Sequence, residues 1–480
     1  MTNRKLIDYI AIFIFFVSIA LSFCGLPFEI NNNMITFALL FQMIFCALLL
    51  LINYKKLFQL LKQFYSCKEV QMVVLYLITV IALGFVVMIK GGNAGVVKVF
   101  LTSIFRIIRI MFPLFFGYYI IRKLKNRRVI SLIIGIILII FCYGFVDLSI
   151  FSFDITLLKP MYNFFMNTHD NLGEGYKIGV IPRIQSFFGE PSFFALFIVL
   201  FIPIFYTLYI NKIKIFKNTY FNNVICVTML PLSFLMLILT QSPIYIIFGI
   251  VVLSFCYLSN FKNKKFLMFI IFCFIIFCGI ISFNFEVIES ILLSNSVGNR
   301  IIKTITSFTD INAFVTEEAS LATRVISYLN MIDIFKEHPF LGCGCGNLQN
   351  AVFSHFTLSK YPLTQEIIIS LEKGKAVINA NMFFQTIAES GIFAVIFLYS
   401  SFFYIIQRIN KSLKYAGGQS YKILQSFRIY MYFFILMSLY NSDIYTPYVW
   451  VMLGIITGYC VNLRQEWIVK NQLYIKIKKP

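Results

Sequence analysis

The sequence is poor in charged residues and rich in apolar ones. Only 13% of its 480 residues are charged, whereas 60% are hydrophobic. A typical soluble domain has about 25% charged and about 45–50% apolar residues. The apolar residues here fall mostly in runs of the length that crosses a bilayer core, about 17–25 residues. Together these features exclude a soluble globular protein.

Several motifs that carry chemistry in other proteins are missing. The chain has only three histidines, and none of them has a second ligand at a spacing that suits zinc. No phosphate-binding Gly-Lys-Ser/Thr loop occurs, which argues against an ATP-driven protein. No Asp-x-Asp pair occurs, which argues against enzymes that hold a divalent metal between two aspartates. We therefore expect neither a metal nor a cofactor.

Acidic residues are scarce, since 41 Lys and Arg stand against 20 Asp and Glu. With the first residue inside, the inner segments between the predicted spans hold 27 of the 41 basic residues and only two acids, Glu69 and Glu466. This is the positive-inside bias of membrane proteins. The net charge of +21 thus indicates orientation, with both termini cytoplasmic, and not nucleic-acid binding. The apolar runs predict about twelve spans, at about 7–24, 34–52, 70–89, 99–121, 129–150, 192–210, 224–240, 243–259, 266–283, 381–406, 429–441 and 446–463.

The predicted fold is all-α, a polytopic integral membrane protein with residues 1–480 in a single membrane domain. The first apolar stretch is followed by no small-residue cleavage site, so we expect a retained helix and not a signal peptide. Two outer segments are long, at about 151–191 and about 284–380. Function concentrates in long structured loops on a rigid scaffold. We therefore expect the functional site on the outer face.

The second long loop contains its own predicted helix. Apolar residues recur at helical spacing from Glu317 to Lys336, with Thr316 as a plausible N-cap. The pair His338-Pro339 should end this helix. A glycine-rich turn follows, Gly342-Cys343-Gly344-Cys345-Gly346. We interpret its two cysteines as small residues that fit the turn, because a disulfide across one residue would be strained.

The end of the first long loop carries Arg183 and, seven residues later, Glu190-Pro191. Pro191 suits the first position of the next helix. Glu190 could then cap that helix, and Arg183 could pair with Glu190 or with lipid headgroups. Alternatively, Arg183 lies at the rim of a cavity and binds a phosphate-bearing lipid. The guanidinium suits that role because it donates two parallel hydrogen bonds to phosphate oxygens.

Three further arginines are candidates for anion binding. Arg324 lies on the predicted loop helix, where a solvated surface position is the simpler interpretation. Arg106 and Arg109 lie close together within the fourth span. Arginines at such a depth are costly unless they are paired or hydrated. They could bind a lipid pyrophosphate, or they could pair with carboxylates or carbonyls inside the bundle.

The tenth span begins with three polar residues on one helical stripe. Asn381, Gln385 and Glu389 stand at i, i+4 and i+8. A carboxylate about two turns into a span should face the bundle interior or a wet cavity. The stripe therefore predicts either a substrate site or core hydrogen bonding to another helix.

These stretches resemble the O-antigen polymerase and ligase family of bacterial membrane proteins. The likeness lies in R-I-Q-S-F-F-G-E-P-S-F-F-A from Arg183 to Ala195, in Arg324 to Gly346 with its E-H-P-F-L-G-C-G-C-G ending, and in N-A-N-M-F-F-Q-T-I-A-E-S-G from Asn379 to Gly391. It covers roughly residues 150–410. The order of the stretches and the large outer loop also resemble the family's layout.

The resemblance implies a helical, glycosyltransferase C-like fold in the bacterial inner membrane. The implied substrates are undecaprenyl-pyrophosphate-linked oligosaccharides, as donor and acceptor, with membrane lipid around them and a chain-length regulator protein as a possible partner. The implied chemistry is an inverting glycosyl transfer without a metal. Arg183 and Arg324 would bind the donor, and Glu190 or Glu389 would serve as catalytic carboxylate.

The sequence departs from the family pattern at two places. Ser242-Pro243 stands where the family usually has Ser-Arg, and Ala380-Asn381 stands where the ligases have His-Asn. The second departure removes the histidine held to be the ligase base. It favours a polymerase of repeat units over an O-antigen ligase. A transporter or flippase is the alternative from another class, but no internal repeat is visible and one outer loop is long.

Overall fold

The computed structural model is almost entirely helical. It describes residues 3–20, 25–30, 33–91, 95–124, 126–153, 183–188, 190–259, 319–344, 346–357, 361–374, 376, 381–440 and 446–478. Its helices are α1 Asn3–Ala20, α2 Phe37–Tyr65, α3 Lys68–Gly91, α4 Gly95–Lys123, α5 Asn126–Phe153, α6 Pro191–Asn211, α7 Thr219–Leu239, α8 Pro243–Ser259, α9 Ala319–Glu337, α10 Leu348–Thr357, α11 Gln365–Glu372, α12 Met382–Leu413, α13 Gly418–Ser438 and α14 Pro447–Lys478.

The fold is that of a polytopic helical membrane protein. Within the described ranges, six helical stretches are long and apolar enough to cross a membrane: Lys68–Val86, Ile104–Lys123, Asn126–Ile150, Pro191–Asn211, Thr219–Leu239 and Met382–Leu413. Each predicted span overlaps a helix except the ninth, 266–283, which lies outside the described residues. The total of twelve spans stays a prediction.

A short β-hairpin between α1 and α2 was not anticipated by the sequence analysis. Strand β1, Gly25–Ile30, pairs antiparallel with strand β2, Asn33–Thr36. The predicted second span began at about 34, but α2 begins at Phe37 because the chain before it is still paired in the hairpin.

Helices α4 and α14 pack with their backbones in close contact. A Cβ atom at Gly117 would lie 2.0 Å from the carbonyl oxygen of Val451, and one at Gly454 would lie 2.1 Å from that of Leu114. Small residues permit this approach, which is the usual way that membrane helices associate. Because α4 carries Arg106 and Arg109, the contact fixes the helix from which both arginines project.

Helix α6 lies at the centre of the bundle. Its side chains from Phe194 to Leu208 are buried all round the helix, which is the pattern of an interior helix. Pro191 occupies its first turn, where the missing N–H costs no hydrogen bond. This rigid helix therefore holds the residue just before it, Glu190, in a fixed place.

A buried ion pair joins α3 to α12 near the predicted inner ends of both helices. Arg408 Nε lies 2.5 Å from Glu69 Oε1, and Arg408 Nη2 lies 3.0 Å from Glu69 Oε2. Glu69 is one of the two acids in the predicted inner segments. The pairing with Arg408 explains why Glu69 is tolerated in a segment that is otherwise basic.

The predicted loop helix is present as α9. It begins at Ala319 in the described residues and ends at Glu337, directly before His338-Pro339 as expected. The proposed cap Thr316 and the two glutamates after it lie outside the described residues. Helix α9 packs against α12, so the second long loop is docked on the bundle.

Candidate functional site

The segment that carries Arg183 is tied to the turn between α7 and α8. Arg183 Nε donates to the carbonyl oxygen of Thr240 at 3.0 Å, and Nη2 lies 3.4 Å from Ser242 Oγ. The backbone N–H of Ile184 donates to the carbonyl of Leu239 at 3.2 Å. The guanidinium is therefore held at the start of α8. It contacts Ser242, the residue directly before Pro243, where the chain departs from the family pattern.

A buried aspartate holds the same segment from the other side. Asp147 on α5 is fully buried, and its Oδ2 accepts from the N–H of Gln185 at 3.1 Å and of Ser186 at 2.6 Å. Ser186 has a φ of 53°, an unusual backbone conformation for a residue other than glycine. Asp147 thus shapes the bend that follows Arg183. The sequence analysis did not select it, although a carboxylate inside a span is itself a signal of function.

Glu190 faces Arg324 from the long second loop. Glu190 Oε2 lies 4.0 Å from Arg324 Nη2, and the two side chains are 44% and 14% exposed, respectively. The backbone of Glu190 occupies the N-cap position of α6, yet its side chain makes no capping hydrogen bond. Instead Oε2 accepts from Ser192 Oγ at 2.9 Å. The carboxylate therefore lies between the first turn of α6, where it accepts from Ser192, and Arg324.

Three tyrosines surround Arg324. Burial lowers the pKa of the guanidinium, but Tyr245, Tyr440, Glu190 and Tyr328 together raise it above its ordinary value. Tyr328 donates its hydroxyl to the carbonyl of Tyr440 at 2.5 Å, and burial raises the pKa of Tyr328 to about 12. Arg324 is thus a permanent cation in a mostly buried setting. It is not the solvated surface arginine of the simpler interpretation.

Arg183 and Arg324 both approach the first turn of α8. Arg183 contacts Ser242, and Arg324 interacts electrostatically with Tyr245, whose N–H donates to the Ser242 carbonyl at 3.1 Å. Glu190 lies on the same segment as Arg183 and contacts Arg324. Glu190 and Arg324 therefore face each other, and Arg183 and Arg324 each interact with a residue at the start of α8.

A further carboxylate, Glu366 on α11, belongs to this charged group and was missed from the sequence. The hydroxyl of Thr323, the neighbour of Arg324, lies 2.6 Å from that of Thr364, which caps α11 two residues before Glu366. Partial burial and the charge of Glu190 raise the pKa of Glu366, while Thr323 and Arg324 lower it. Helix α11 was not predicted, because the sequence around Glu366 carries no motif.

Asn381 and Gln385 have different surroundings although they lie on one stripe. The Oδ1 of Asn381 accepts from the N–H of Phe384 at 2.9 Å and caps α12. Its Nδ2 donates to the carbonyls of Leu439 at 2.7 Å and Tyr440 at 3.1 Å. Asn381 thereby fixes the tyrosine beside Arg324. Gln385 is half-buried, and its side chain has no hydrogen bond within the described ranges.

Glu389 pairs with Arg106 inside the bundle. Arg106 Nη2 donates to Glu389 Oε2, and the two side chains are 2% and 4% exposed. The other oxygen, Oε1, accepts from the N–H of Gly346 at 2.9 Å. Arg106 thus has the internal carboxylate partner that was one of its two interpretations. Arg109 is half-buried on the same helix and has contacts of its own.

The glycine-rich turn fills a break in α12. Gly391 has a φ of 70°, and the N–H of Ile392 donates to the carbonyl of Pro339 at 3.0 Å in place of its own helix. The freed carbonyls of Ala388 and Glu389 accept from residues 343 and 344 of the turn at 2.9 and 3.0 Å. Non-helical backbone in a membrane protein needs such partners. Gly342, with a φ of 64°, permits the close approach, since a Cβ there would lie 2.4 Å from the Glu389 backbone.

A separate hollow lies at the other end of α9. It has a volume of about 500 Å³ and is lined by Glu337, His338, Asn347 and His355, among others. His355 Nε2 lies 3.2 Å from Glu337 Oε2. Arg324 and Glu337 are about 20 Å apart along the helix at about 1.5 Å per residue. This hollow is therefore distinct from the charged group around Arg324. Cys345, one of the two cysteines of the glycine-rich turn, lies outside the described residues.

Comparison with known families gives one match. Residues 227–399 match a family model described as O-antigen ligase. A comparison with curated proteins finds none that matches. The matched region includes Arg324, Asn381, Gln385 and Glu389, whereas Arg106, Arg109, Arg183 and Glu190 precede it. Residues 227–399 are therefore similar to the O-antigen ligase family, which is consistent with the resemblance that the motifs indicated.

Proposed function

We propose that this protein is a glycosyltransferase that polymerises undecaprenyl-pyrophosphate-linked oligosaccharide repeat units into a surface polysaccharide. The products in view are O-antigen, capsule or another exopolysaccharide. The observation that supports this proposal most strongly is the approach of Arg183 and Arg324 to the first turn of α8, with Glu190 beside them. Two guanidinium groups at one place suit the pyrophosphate of a lipid-linked donor.

The reaction transfers a sugar chain from one lipid pyrophosphate to another. A hydroxyl of the acceptor repeat attacks the anomeric carbon of the donor, so that a new C–O bond forms on the opposite face and inverts the centre. The bond to the pyrophosphate breaks, and undecaprenyl pyrophosphate leaves. Arg183 and Arg324 stabilise the charge that develops on the leaving group, which is where preorganised cations contribute most. No step in this scheme requires a metal or a cofactor.

The candidate carboxylates differ in how free they are to accept the proton. Both oxygens of Glu389 are held, one by Arg106 and the other by Gly346. Glu190 is half-exposed and faces Arg324 at 4.0 Å. Of the two residues selected from the sequence, Glu190 is therefore better placed to meet a substrate. We assign Glu389 and Arg106 to the framework. Arg109, Asn381 and Gln385 stay candidates for substrate binding.

The charge pattern supports a location in the bacterial inner membrane with both termini in the cytoplasm. In that orientation the two long loops face outward, where lipid-linked repeats would be joined. The partners would be the donor and acceptor lipids, the surrounding membrane lipid and a regulator of chain length. Nucleic acid is not among the expected partners.

An O-antigen ligase, which transfers the finished chain to lipid A-core, is the second candidate. The family match is equally compatible with it. The residue before Asn381 is alanine and not histidine, and for this reason we favour the polymerase. A transporter is the third candidate, and the charged group at Arg324 gives it no support.

Gene deletion in the native host separates these functions. If the product is O-antigen, loss of a polymerase should leave single repeats on lipid A-core, whereas loss of a ligase should strand long chains on the carrier lipid. A gel of the surface polysaccharide distinguishes the two patterns. A pattern of stranded long chains would contradict the polymerase assignment.

Complementation of that deletion tests the donor site. We expect Arg183→Ala and Arg324→Ala each to lower polymerisation by about 10²–10³-fold, the usual cost of removing one donor from a charge-stabilising site. Membrane levels of each variant should equal those of the wild type. Arg128→Ala is the matched control, because Arg128 is exposed on α5 outside the charged group. Normal chain ladders in both variants would remove the donor-site assignment.

A further inference from the structure

The hollow at the C-terminal end of α9 is lined by many polar side chains. Its volume of about 500 Å³ falls within the range of about 300–1,000 Å³ that small-molecule sites occupy. The polar side chains come from the end of α9 and from the start and body of α10, and they are those of Glu337, His338, Asn347, Asn350, Ser354 and His355.

Hydrogen bonds hold the walls of the hollow together. Glu337 Oε2 lies 3.2 Å from His355 Nε2, which joins α9 to α10. Asn347 Nδ2 donates to the carbonyl of Cys343 at 3.2 Å, and Asn350 Nδ2 donates to Asn347 Oδ1 at 3.3 Å. The N–H of Cys343 donates in turn to a carbonyl of α12 at 2.9 Å. The hollow is therefore preformed, with one wall fixed to the broken helix.

Several polar groups of the lining are left for a ligand. In the described part of the chain, the side chain of His338, the carbonyl oxygen of Asn350 and Oε1 of Glu337 have no hydrogen-bond partner. An amide offers a donor and an acceptor, an imidazole offers either, and a carboxylate accepts. The hollow can therefore bind a hydroxyl group both as a donor and as an acceptor.

The composition of the lining argues against other common ligands. None of the described residues that line the hollow is Lys or Arg, so a phosphate would find no permanent cation there. Across the described ranges, no group of three or more His, Cys, Asp or Glu side chains is placed to hold a metal ion. An acyl chain would leave the polar side chains without partners. An uncharged ligand rich in hydroxyl groups, a carbohydrate, fits best.

The hollow lies on the same loop helix as the proposed donor site. Arg324 and Glu337 are about 20 Å apart along α9, at about 1.5 Å per residue. His338 follows Arg324 by about four helical turns, so both lie on nearly the same side of the helix. A sugar chain whose pyrophosphate is held at Arg324 can therefore extend along α9 until its more distant rings reach the hollow.

We propose that this hollow binds sugar rings of the lipid-linked oligosaccharide at a distance from its pyrophosphate. The inference rests on the proposed glycosyl transfer. His338 and Asn350 bond to hydroxyl groups of the rings, and Glu337, which His355 keeps in place, accepts from another. Contacts so far from the reacting centre add affinity for the chain without changing the chemical step. The site thus favours a long chain over a single repeat as the donor.

The test is the binding of a sugar-only probe to the purified full-length protein in detergent, measured by isothermal titration calorimetry. The probe is the host's own surface polysaccharide, released from its lipid by mild acid and cut to a few repeats, so that it carries no pyrophosphate. Ser354 is exposed at the hollow, and Ser354→Trp should abolish binding because the large ring fills the space. Asn350→Ala and His338→Ala should each weaken binding by about 2–12-fold, the loss of one net hydrogen bond.

Matched variants make the result specific to the hollow. Gln349→Ala removes an amide that lies on the same helix but does not line the hollow, and it should bind the probe as the wild type does. Arg324→Ala, which should lose polymerisation, should still bind the probe. In polymerisation assays, Asn350→Ala should raise the KM for a long-chain donor and leave kcat unchanged. Thermal unfolding should be the same for Asn350→Ala and the wild type.

The outcomes separate this inference from the proposed function. If Ser354→Trp binds the probe as well as the wild type does, the sugars lie elsewhere and the hollow is not their site. If the wild type polymerises lipid-linked repeats but does not bind the probe, the hollow is again overturned, although the glycosyl transfer stands. If the wild type binds the probe through the hollow and transfers no sugar, the hollow is a carbohydrate site but the proposed function fails.

Discussion

Two arginine–glutamate pairs in this protein have opposite surroundings. Arg106 and Glu389 are almost fully buried, and the backbone of Gly346 holds the second carboxylate oxygen. Arg324 and Glu190 stand 4.0 Å apart, with 44% of the glutamate side chain exposed. A buried pair that loses one partner leaves an uncompensated charge, whereas a partly exposed pair is worth only about 0–1 kcal/mol. We therefore expect the first pair to fix structure, and we propose that the second exchanges with an anionic ligand.

The first pair holds a broken helix together. Glu389 lies two residues before Gly391, where α12 is interrupted, and it contacts both α4 and the glycine-rich turn. The second pair bridges the end of one long loop and the helix of the other. An incoming pyrophosphate could therefore replace Glu190 at Arg324 without disturbing α12.

The largest effect on stability is expected from Arg106→Ala. It leaves the carboxylate of Glu389 buried without its partner, which should cost about 3–5 kcal/mol in the free energy of unfolding. Unfolding of the purified protein in detergent measures this loss. Replacing both residues with methionine should recover part of it, because two apolar side chains need no partner but the N–H of Gly346 loses its acceptor.

Unfolding of Arg324→Ala in detergent should contrast with that of Arg106→Ala. We expect a smaller loss in its free energy of unfolding than for Arg106→Ala, since the carboxylate left behind, Glu190, is 44% exposed and stays hydrated. An equal loss of stability in Arg106→Ala and Arg324→Ala would contradict the distinction between the two pairs. Full activity of Glu389→Gln would confine Glu389 to the framework.

A smaller effect is expected from Asp147→Ala. The N–H groups of Gln185 and Ser186 would lose their acceptor, and a buried unsatisfied donor costs about 1–3 kcal/mol. Because this segment carries Arg183, the KM for the donor should rise. Asp147→Asn keeps one acceptor oxygen and should retain part of both properties. An unchanged donor KM in Asp147→Ala would separate the bend at Ser186 from the donor site.

Sequence motifs predicted one of these regions better than the other. The stretch from Arg183 to Glu190 and the helix bearing Arg324 could be selected because a guanidinium suits phosphate oxygens and because both stretches resemble those of a known family. The spacing of Asn381, Gln385 and Glu389 predicted one stripe of a helix, and α12 begins directly after Asn381 and includes the other two residues. Its break at Gly391 could not be predicted, because it depends on the turn from the preceding loop.

Contacts between distant parts of the chain account for what the sequence analysis missed. Arg106 and Glu389 are 283 positions apart, and Asp147 is 38 positions from Gln185. Periodicity reports only neighbours within one element, so it placed both arginines of α4 at depth without naming their partners. Glu366 stands in a short helix with no motif, and only the position of Thr323 beside Arg324 identifies it. These partners are set by how the loops and helices pack together, which periodicity within one element does not report.

The smallest effect is expected from Gln385→Ala, and it probes the boundary between the two regions. Gln385 lies between Asn381, which fixes Tyr440 near Arg324, and Glu389, which belongs to the buried pair. Its half-buried amide has no hydrogen bond in the described part of the chain, so its removal should change the free energy of unfolding by less than about 0.5 kcal/mol. If the amide contacts substrate, the rate should fall by roughly 2–12-fold, which corresponds to a net hydrogen bond of about 0.5–1.5 kcal/mol.

Asn381→Ala should instead lose stability, because it removes the cap of α12 and two hydrogen bonds to the end of α13. A stability loss in Gln385→Ala as large as that in Asn381→Ala would show that Gln385 belongs to the rigid framework. The group around Arg324 would then not include Gln385.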